Sequence, residues 1–413
     1  MATMGTTRTR ERFSLGEMFA ALGLALGPVV ALGFSRFAYS LLLPPMREQL
    51  HWNFAQAGGL NTSNAIGYII GTLITAWVAQ RFGNRLTFLG SMTISALILL
   101  LSGATSTYTM LLVLRFIGGI STAITFVLGS ALAARIRPTL MPVYFTGPGL
   151  GIIISGIVVP TALTSGSGGW RLGWIILGVA ALVALIPTWL AYRTLPKQNT
   201  QGSAMLRLGD FRKLSPTFFG YLLFGAGYVT YMTFVIALLH AQGATPWMSA
   251  LFFIILGIAS ALSTLGWGPI LARCKGGWGP AIVSAIVLIG TLPVLLYPGF
   301  PSALVSAIIF GGSFMAGPTA VTGLCRRHLP SSFWTAGIAI MTAGFAVGQA
   351  IGPVLSGWLS DYTGNVSAGV WLAPILLLLA LVIAVFQQEH RLLEEHKQDS
   401  NTGHKDHSTI RSS

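Results

Sequence analysis

Long apolar runs separated by short polar and basic turns set the pattern of this chain. A helix needs about 20 residues to cross ~30 Å of hydrocarbon. Twelve runs reach that length, at approximately 18–43, 54–80, 86–104, 108–134, 142–164, 172–192, 215–240, 247–272, 279–298, 302–325, 332–360 and 368–386. A helix satisfies its own backbone hydrogen bonds in lipid, so each run is expected to be a transmembrane helix. The stretch from Arg193 to Ser215 is polar and basic, carries Gly and Pro, and divides six runs from six. The fold class expected is an all-α integral membrane protein. Its organisation would be an N-terminal segment over 1–17, a six-helix bundle over 18–192, a linker over 193–214, a second six-helix bundle over 215–386 and a tail over 387–413. The tail has the charged, polar composition of a disordered segment, and its histidines (His396, His404, His407) read as part of a solvated tail.

Composition sharpens this picture. Of 413 residues 53% are hydrophobic and 8% charged, against roughly 25% charged in soluble domains. The 50 glycines suit close helix packing in lipid. A formal charge of +14 could point to nucleic acid, but the basic residues recur in short loops and no basic run interleaves with aromatics. Their positions instead set orientation. With the N-terminus in the cytoplasm, one side holds Arg8, Arg10, Arg12, Arg81, Arg85, Arg135, Arg137, Arg273, Lys275, Arg326 and Arg327, with the linker and tail cations; the other holds Arg47 and Arg171. Both termini are therefore expected in the cytoplasm. The first run resembles a signal peptide but is too long, and eleven more follow, so it is expected to be a retained helix. Two cysteines, Cys274 and Cys325, at expected cytoplasmic helix ends exclude a disulfide framework.

Several segments resemble the major facilitator superfamily. "GTLITAWVAQRFGNRL" resembles its loop signature, with Ala76 in place of the usual Gly and Gln80 in place of the usual Asp. "LRFIGGIST", containing Arg115 and Gly119, resembles a second signature; "GPGLGIIISGIVVP" partly resembles the antiporter signature, and "GFAVGQAIGPVLSG" an eleventh-helix pattern. A narrower resemblance is to the YbfB/YjiJ-type branch. It rests on "LGFSRFAYSLLLPPM", "SNAIGYIIGTL", "GLGIIISG", "FGAGYVTYMTF" and "GGSFMAG", which span both halves. The resemblance implies two six-helix bundles, a substrate site between them near the midplane, alternating access by rocking, and a monomer in the cytoplasmic membrane. It does not fix a substrate.

The candidate chemistry lies in charges at membrane depth. The runs contain Arg36 and Arg115 and no Asp or Glu. Such a charge costs ~2.5–3.5 kcal/mol on insertion scales and marks a functional candidate. Arg36 lies near midplane by helical rise and is expected to hold an anionic group through its bidentate fork; a structural partner such as helix-end carbonyls or Tyr39 is the alternative. Arg115 is shallower, and its match to the second signature implies a coupling or conformational role, with packing inside the first half an equal alternative. Asn61, Asn64, Tyr68 and Gly71 share one face of the second run. Tyr221, Tyr228 and Tyr231 form a stripe in the seventh, with Phe224 between; Met315, Thr319 and Thr322 line up in the tenth, and Gln349 sits among glycines in the eleventh. Each stripe could equally be interhelical hydrogen bonding, worth about 0.6 kcal/mol on average. The expected substrate-lining set is Arg36, Tyr39, Asn61, Asn64, Tyr68, Tyr228, Tyr231, Met315, Thr319 and Gln349. The expected coupling set is Arg115 with Gln80, Arg81, Gly83 and Arg85.

Missing carboxylates disfavour an exporter of cationic drugs. Glu17, Glu48 and Asp361 fall at expected helix ends, as do His240 and His328. An arginine without an acid suits an organic anion, whose inward movement against ~100 mV costs about 2.3 kcal/mol per charge. Efflux, exchange, or entry with protons follows from that cost. The alternatives are an exporter of neutral or amphipathic compounds with Arg36 structural, and a nontransporting sensor. An enzyme is not expected, since no catalytic set lies at depth. No cofactor or metal is expected, and the absence of a phosphate loop excludes ATP-driven transport.

Overall fold

The computed structural model describes residues 14–136, 140–166, 168–193, 214–330 and 333–389. Among them, twelve helices are long and apolar enough to cross a membrane. In chain order they are α1 Leu15–Gln49, α2 Phe54–Phe82, α3 Asn84–Ala104, α4 Tyr108–Ile136, α5 Met141–Leu163 and α6 Gly169–Arg193. The second six are α7 Ser215–Ala241, α8 Pro246–Arg273, α9 Trp278–Leu296, α10 Phe300–His328, α11 Trp334–Thr363 and α12 Val366–Val385. The expected linker, apart from its end residues, and nearly all of the expected tail with its histidines lie outside the described residues.

The helices form two six-helix bundles, α1–α6 and α7–α12. α2 packs on α4 and α3 on α6 in one; α7 packs on α11 and α12, and α8 on α10, in the other. The bundles meet along α2–α11, α5–α8 and α1–α7. Large apolar side chains point outward all round, Leu73 68%, Ile186 62% and Leu262 62% exposed among them. No water-facing surface carries such a coat without penalty, whereas lipid accepts it.

Three helices depart from the expected runs. α1 begins earlier, at Leu15, where Ser14 and Glu17 form a capping box. It also passes the expected end at 43, because Met46 is buried beneath Trp174, whose Nε1 lies 3.4 Å from its sulfur. Within α1, Pro28 removes a donor, and Val29–Phe37 follow as a π-helical segment. α10 was expected unbroken, but it divides at Met315 into Phe300–Phe314 and Ala316–His328. Pro318 has no N–H to offer the Phe314 carbonyl four residues back, which accounts for the break. α5 is likewise split at Thr146, one residue before the Gly147-Pro148 step.

Small residues let the helices approach. A Cβ on Gly33 of α1 would fall 2.4 Å from the Gly151 Cα of α5. Between the bundles, Gly149 and Gly156 of α5 meet Gly257, Ala261 and Phe253 of α8 at similar range.

Gly33→Val should therefore force α1 from α5 and lower the midpoint of thermal unfolding in detergent. Overpacking costs about 1–3 kcal/mol, or several degrees. Gly90→Ala, where a Cβ meets nothing within 4 Å, should leave the midpoint within a degree or so or raise it slightly.

Candidate functional site

Arg36 and Arg115 are buried, 6% and 4% exposed, and among the described residues neither pairs with a carboxylate. Their surroundings differ. Arg115 of α4 donates through Nη1 to the Ser35 carbonyl of α1 and through Nη2 to Asn61 Oδ1 of α2, 2.7 Å away. Its guanidinium carbon lies 4.6 Å from the Tyr39 ring centroid and 5.9 Å from that of Trp174. All these partners belong to the first bundle.

Arg36 instead reaches across to the second bundle. Its Nη2 donates to Gln349 Oε1 of α11 at 2.6 Å, and Gln349 Nε2 donates to the Tyr228 hydroxyl of α7 at 2.5 Å. The Tyr68 ring lies beneath the guanidinium, 5.4 Å away. Among the described residues this is the guanidinium's one hydrogen bond. An arginine carries five N–H donors, so most of its capacity is uncommitted.

The remaining expected site residues divide. Asn61 is central: its Nδ2 donates to Thr233 Oγ1 of α7 at 2.7 Å while its carbonyl serves Arg115. Asn64 faces α4, donating to the Arg115 carbonyl at 3.1 Å. Tyr39 stands against Arg115 rather than Arg36, and its hydroxyl donates to the Ala57 carbonyl at 2.8 Å. Tyr231 points into the second bundle, sharing a hydrogen bond with Ser306. Met315 marks the break in α10 and Thr319 is exposed beyond it. Gln80, Arg81, Gly83 and Arg85 are exposed at the α2–α3 turn, ~22 Å along the helix from Tyr68 by helical rise. Gly83 turns the chain there with φ +79°, a conformation that favours glycine.

Other residues enter that sequence patterns did not single out. Phe345, one turn before Gln349 on α11, lies parallel to Tyr228 within 3° at 5.5 Å and stacks on Tyr221 at 4.4 Å. Phe314 of α10 also stacks on Tyr228, at 5.8 Å. The recognisable signal was an aromatic four residues from a polar side chain, hence on its face. Asp361, expected only as a helix-end residue, caps the start of α2: its carboxylate accepts from Phe54 N and Ala55 N, each 2.8 Å. Ser40 donates to the Met232 carbonyl and Thr62 to the Ala350 carbonyl. His240 and Glu48 lie 3.6 Å apart beside them. Among the described residues, every side-chain hydrogen bond between the bundles falls between Arg36 and this end of the molecule.

A cavity of about 430 Å³ also opens at this end, between Pro44, Glu48, Trp170 and His240. Its wall is mostly apolar and contains none of the polar groups around Arg36, so the Arg36 cluster is the better candidate.

The family described as "Uncharacterised MFS-type transporter YbfB" matches residues 28–385. The chain is 24% identical over 373 residues to the chloramphenicol resistance protein of Streptomyces lividans, covering 86% of this chain and 93% of that one. It is also 24% identical over 408 residues to the 3-(3-hydroxy-phenyl)propionate transporter of Escherichia coli, covering 94% and 98%. The crystal structure of the nucleoside transporter NupG superposes with a TM-score of 0.67 at 18% identity, covering 88% of this chain and 97% of that one.

The geometry makes Arg115 a tie within one bundle. Arg115→Met preserves most of the volume but leaves the Ser35 carbonyl and Asn61 without their donor. Each orphaned group costs about 1–3 kcal/mol. Differential scanning fluorimetry should show a fall of several degrees in the unfolding midpoint.

Proposed function

Since the chain belongs to the YbfB-type family of major facilitator transporters, carriers of small solutes rather than enzymes, we propose that its cargo is an organic anion bound by Arg36. The observation carrying this reading is a buried guanidinium with, among the described residues, no carboxylate partner and one hydrogen bond. Burying an unpaired charge is costly; a carboxylate or sulfonate offers the two-pronged acceptor that the fork fits. Tyr228, which accepts from Gln349, has its own O–H to donate to the same anion. The relative named for 3-(3-hydroxy-phenyl)propionate bears, in that name, a carboxylate.

The carrier works in this reading by secondary active transport with rocking of the halves, 18–192 and 215–386, about the central site, the segment 193–214 joining them. Both termini and the basic loops are cytoplasmic, in the cytoplasmic membrane, and the chain acts as a monomer. The hydrogen-bonded end with Asp361 and Glu48 is then the outer one, where the two halves are tied together. No carboxylate lies at depth to carry a proton. Efflux of the anion is assisted by the membrane potential, and entry needs protons moving with it or a counter-transported anion to balance the charge.

A second reading is an exporter of neutral or amphipathic compounds with Arg36 structural. It is favoured by the relative named for chloramphenicol resistance and by the partners Arg36 already has in Gln349 and Tyr68.

A thermal-shift screen of purified wild type and Arg36→Gln separates the two. The panel contains small carboxylates, sulfonates, neutral sugars and cationic drugs. One anion class should stabilise wild type, by about 2.7 kcal/mol at a hundredfold excess over Kd, and have no effect on the variant. Equal stabilisation of both proteins by neutral or cationic compounds would overturn the anion reading.

A further inference from the structure

The wall beside Arg36 is aromatic, and this bears on which anion fits. The cluster has two neighbouring parts on α11, Gln349 bonded to Arg36 and Phe345 one turn away on the same face. Tyr228 joins them, its hydroxyl on Gln349 and its ring parallel to Phe345. Tyr68 supplies another ring beneath the guanidinium. Phe345 touches Tyr221, Phe224 and Tyr228. Those three are buried to 6% exposure or less, whereas Phe345 is only partly buried. The open surface of the stack is thus a ring, one helical turn from the uncommitted donors.

Hydrogen-bond capacity points the same way. A sugar acid or hydroxy acid needs acceptors along its length, and this wall presents ring faces instead. The amide acceptor at hand, Gln349 Oε1, is taken by Arg36. A second full charge would have to be met by Arg115, which is engaged by Ser35, Asn61 and Tyr39. A single carboxylate attached to a flat unsaturated ring satisfies the fork and sets that ring against the exposed part of Phe345, at the 4.5–7 Å centroid spacing that offset or edge-on ring pairs prefer.

Resting on the Arg36 anion reading, we propose that the transported anion is an aromatic monocarboxylate, its carboxylate on Arg36 and its ring against Phe345. Phe345 is the specificity-determining residue and Arg36 the anchor.

The test is ligand-induced thermal stabilisation of the full chain in detergent, titrated with phenylacetate, with cyclohexylacetate of matching size and charge, and with neutral 2-phenylethanol. Wild type, Phe345→Leu, Phe345→Tyr and Arg36→Gln are compared. Phenylacetate should half-saturate wild type at roughly three- to tenfold lower concentration than cyclohexylacetate, the range expected of one ring–ring contact. The gap should close in Phe345→Leu and persist in Phe345→Tyr, which keeps the ring and controls for folding. Equal affinity for the two acids in wild type, with both lost in Arg36→Gln, would overturn the aromatic assignment and leave the anion reading standing. Binding of 2-phenylethanol as tight as phenylacetate, unchanged in Arg36→Gln, would overturn both.

Discussion

A positive charge placed among helices in lipid must find compensation, and the polar architecture here follows from how two guanidiniums do so. With no carboxylate in the described interior, compensation comes from dipoles and ring faces. Arg115 has a main-chain carbonyl, a side-chain carbonyl and two aromatic rings, all from its own bundle. Both of its hydrogen bonds stay inside that bundle, and its buried Nε has no partner. Arg36 has one amide oxygen from the opposite bundle and one ring from its own. Its compensation depends on how the bundles are disposed, and it retains capacity for a further partner. Chemically identical groups thus differ in role because their neighbours differ.

The same division organises the contact between bundles. Side-chain donors on α1 and α2 reach main-chain or side-chain acceptors on α7 and α11. At the end of this seam Asp361 accepts two N–H groups from the first turn of α2, where the helix dipole favours a negative charge. The Phe54 ring in that turn carries the Arg47 guanidinium 4.1 Å from its centre. This carboxylate has no role at depth, but it fastens one bundle to the other through main-chain groups that every side-chain substitution except proline would preserve.

The sequence made the twelve spans legible because a run's length and apolarity are local properties, and so is the cost of a charge inside it. Arg36 and Arg115 could be singled out on that ground alone. Their partners were not legible, since Gln349 lies 313 residues from Arg36 and nothing local encodes the pairing. Tyr39, expected as an alternative partner of Arg36, lies against Arg115: the π-helical segment ending at Phe37 alters the angular spacing on which a regular-helix estimate depends. Asn64 sits on the same face as Asn61 and Tyr68, yet serves the α2–α4 contact, because that face is wide enough to meet two neighbours. The break at Met315 was encoded in Pro318, whose effect falls on the carbonyl four residues earlier rather than on its own position.

The α5–α8 seam has a mechanical consequence. Gly149, Gly156 and Gly257 bring the two backbones together there, with Ile153, Phe253 and Ile254 seated over them, and among the described residues no side-chain hydrogen bond crosses it. An apolar seam resists separation through its many dispersion contacts but has no directional bond to break. The opposite seam holds the bundles by directional bonds, which require a set geometry. Parting the bundles at the polar seam would leave donors and acceptors to be satisfied anew, whereas parting them at the glycine seam would forfeit packing alone.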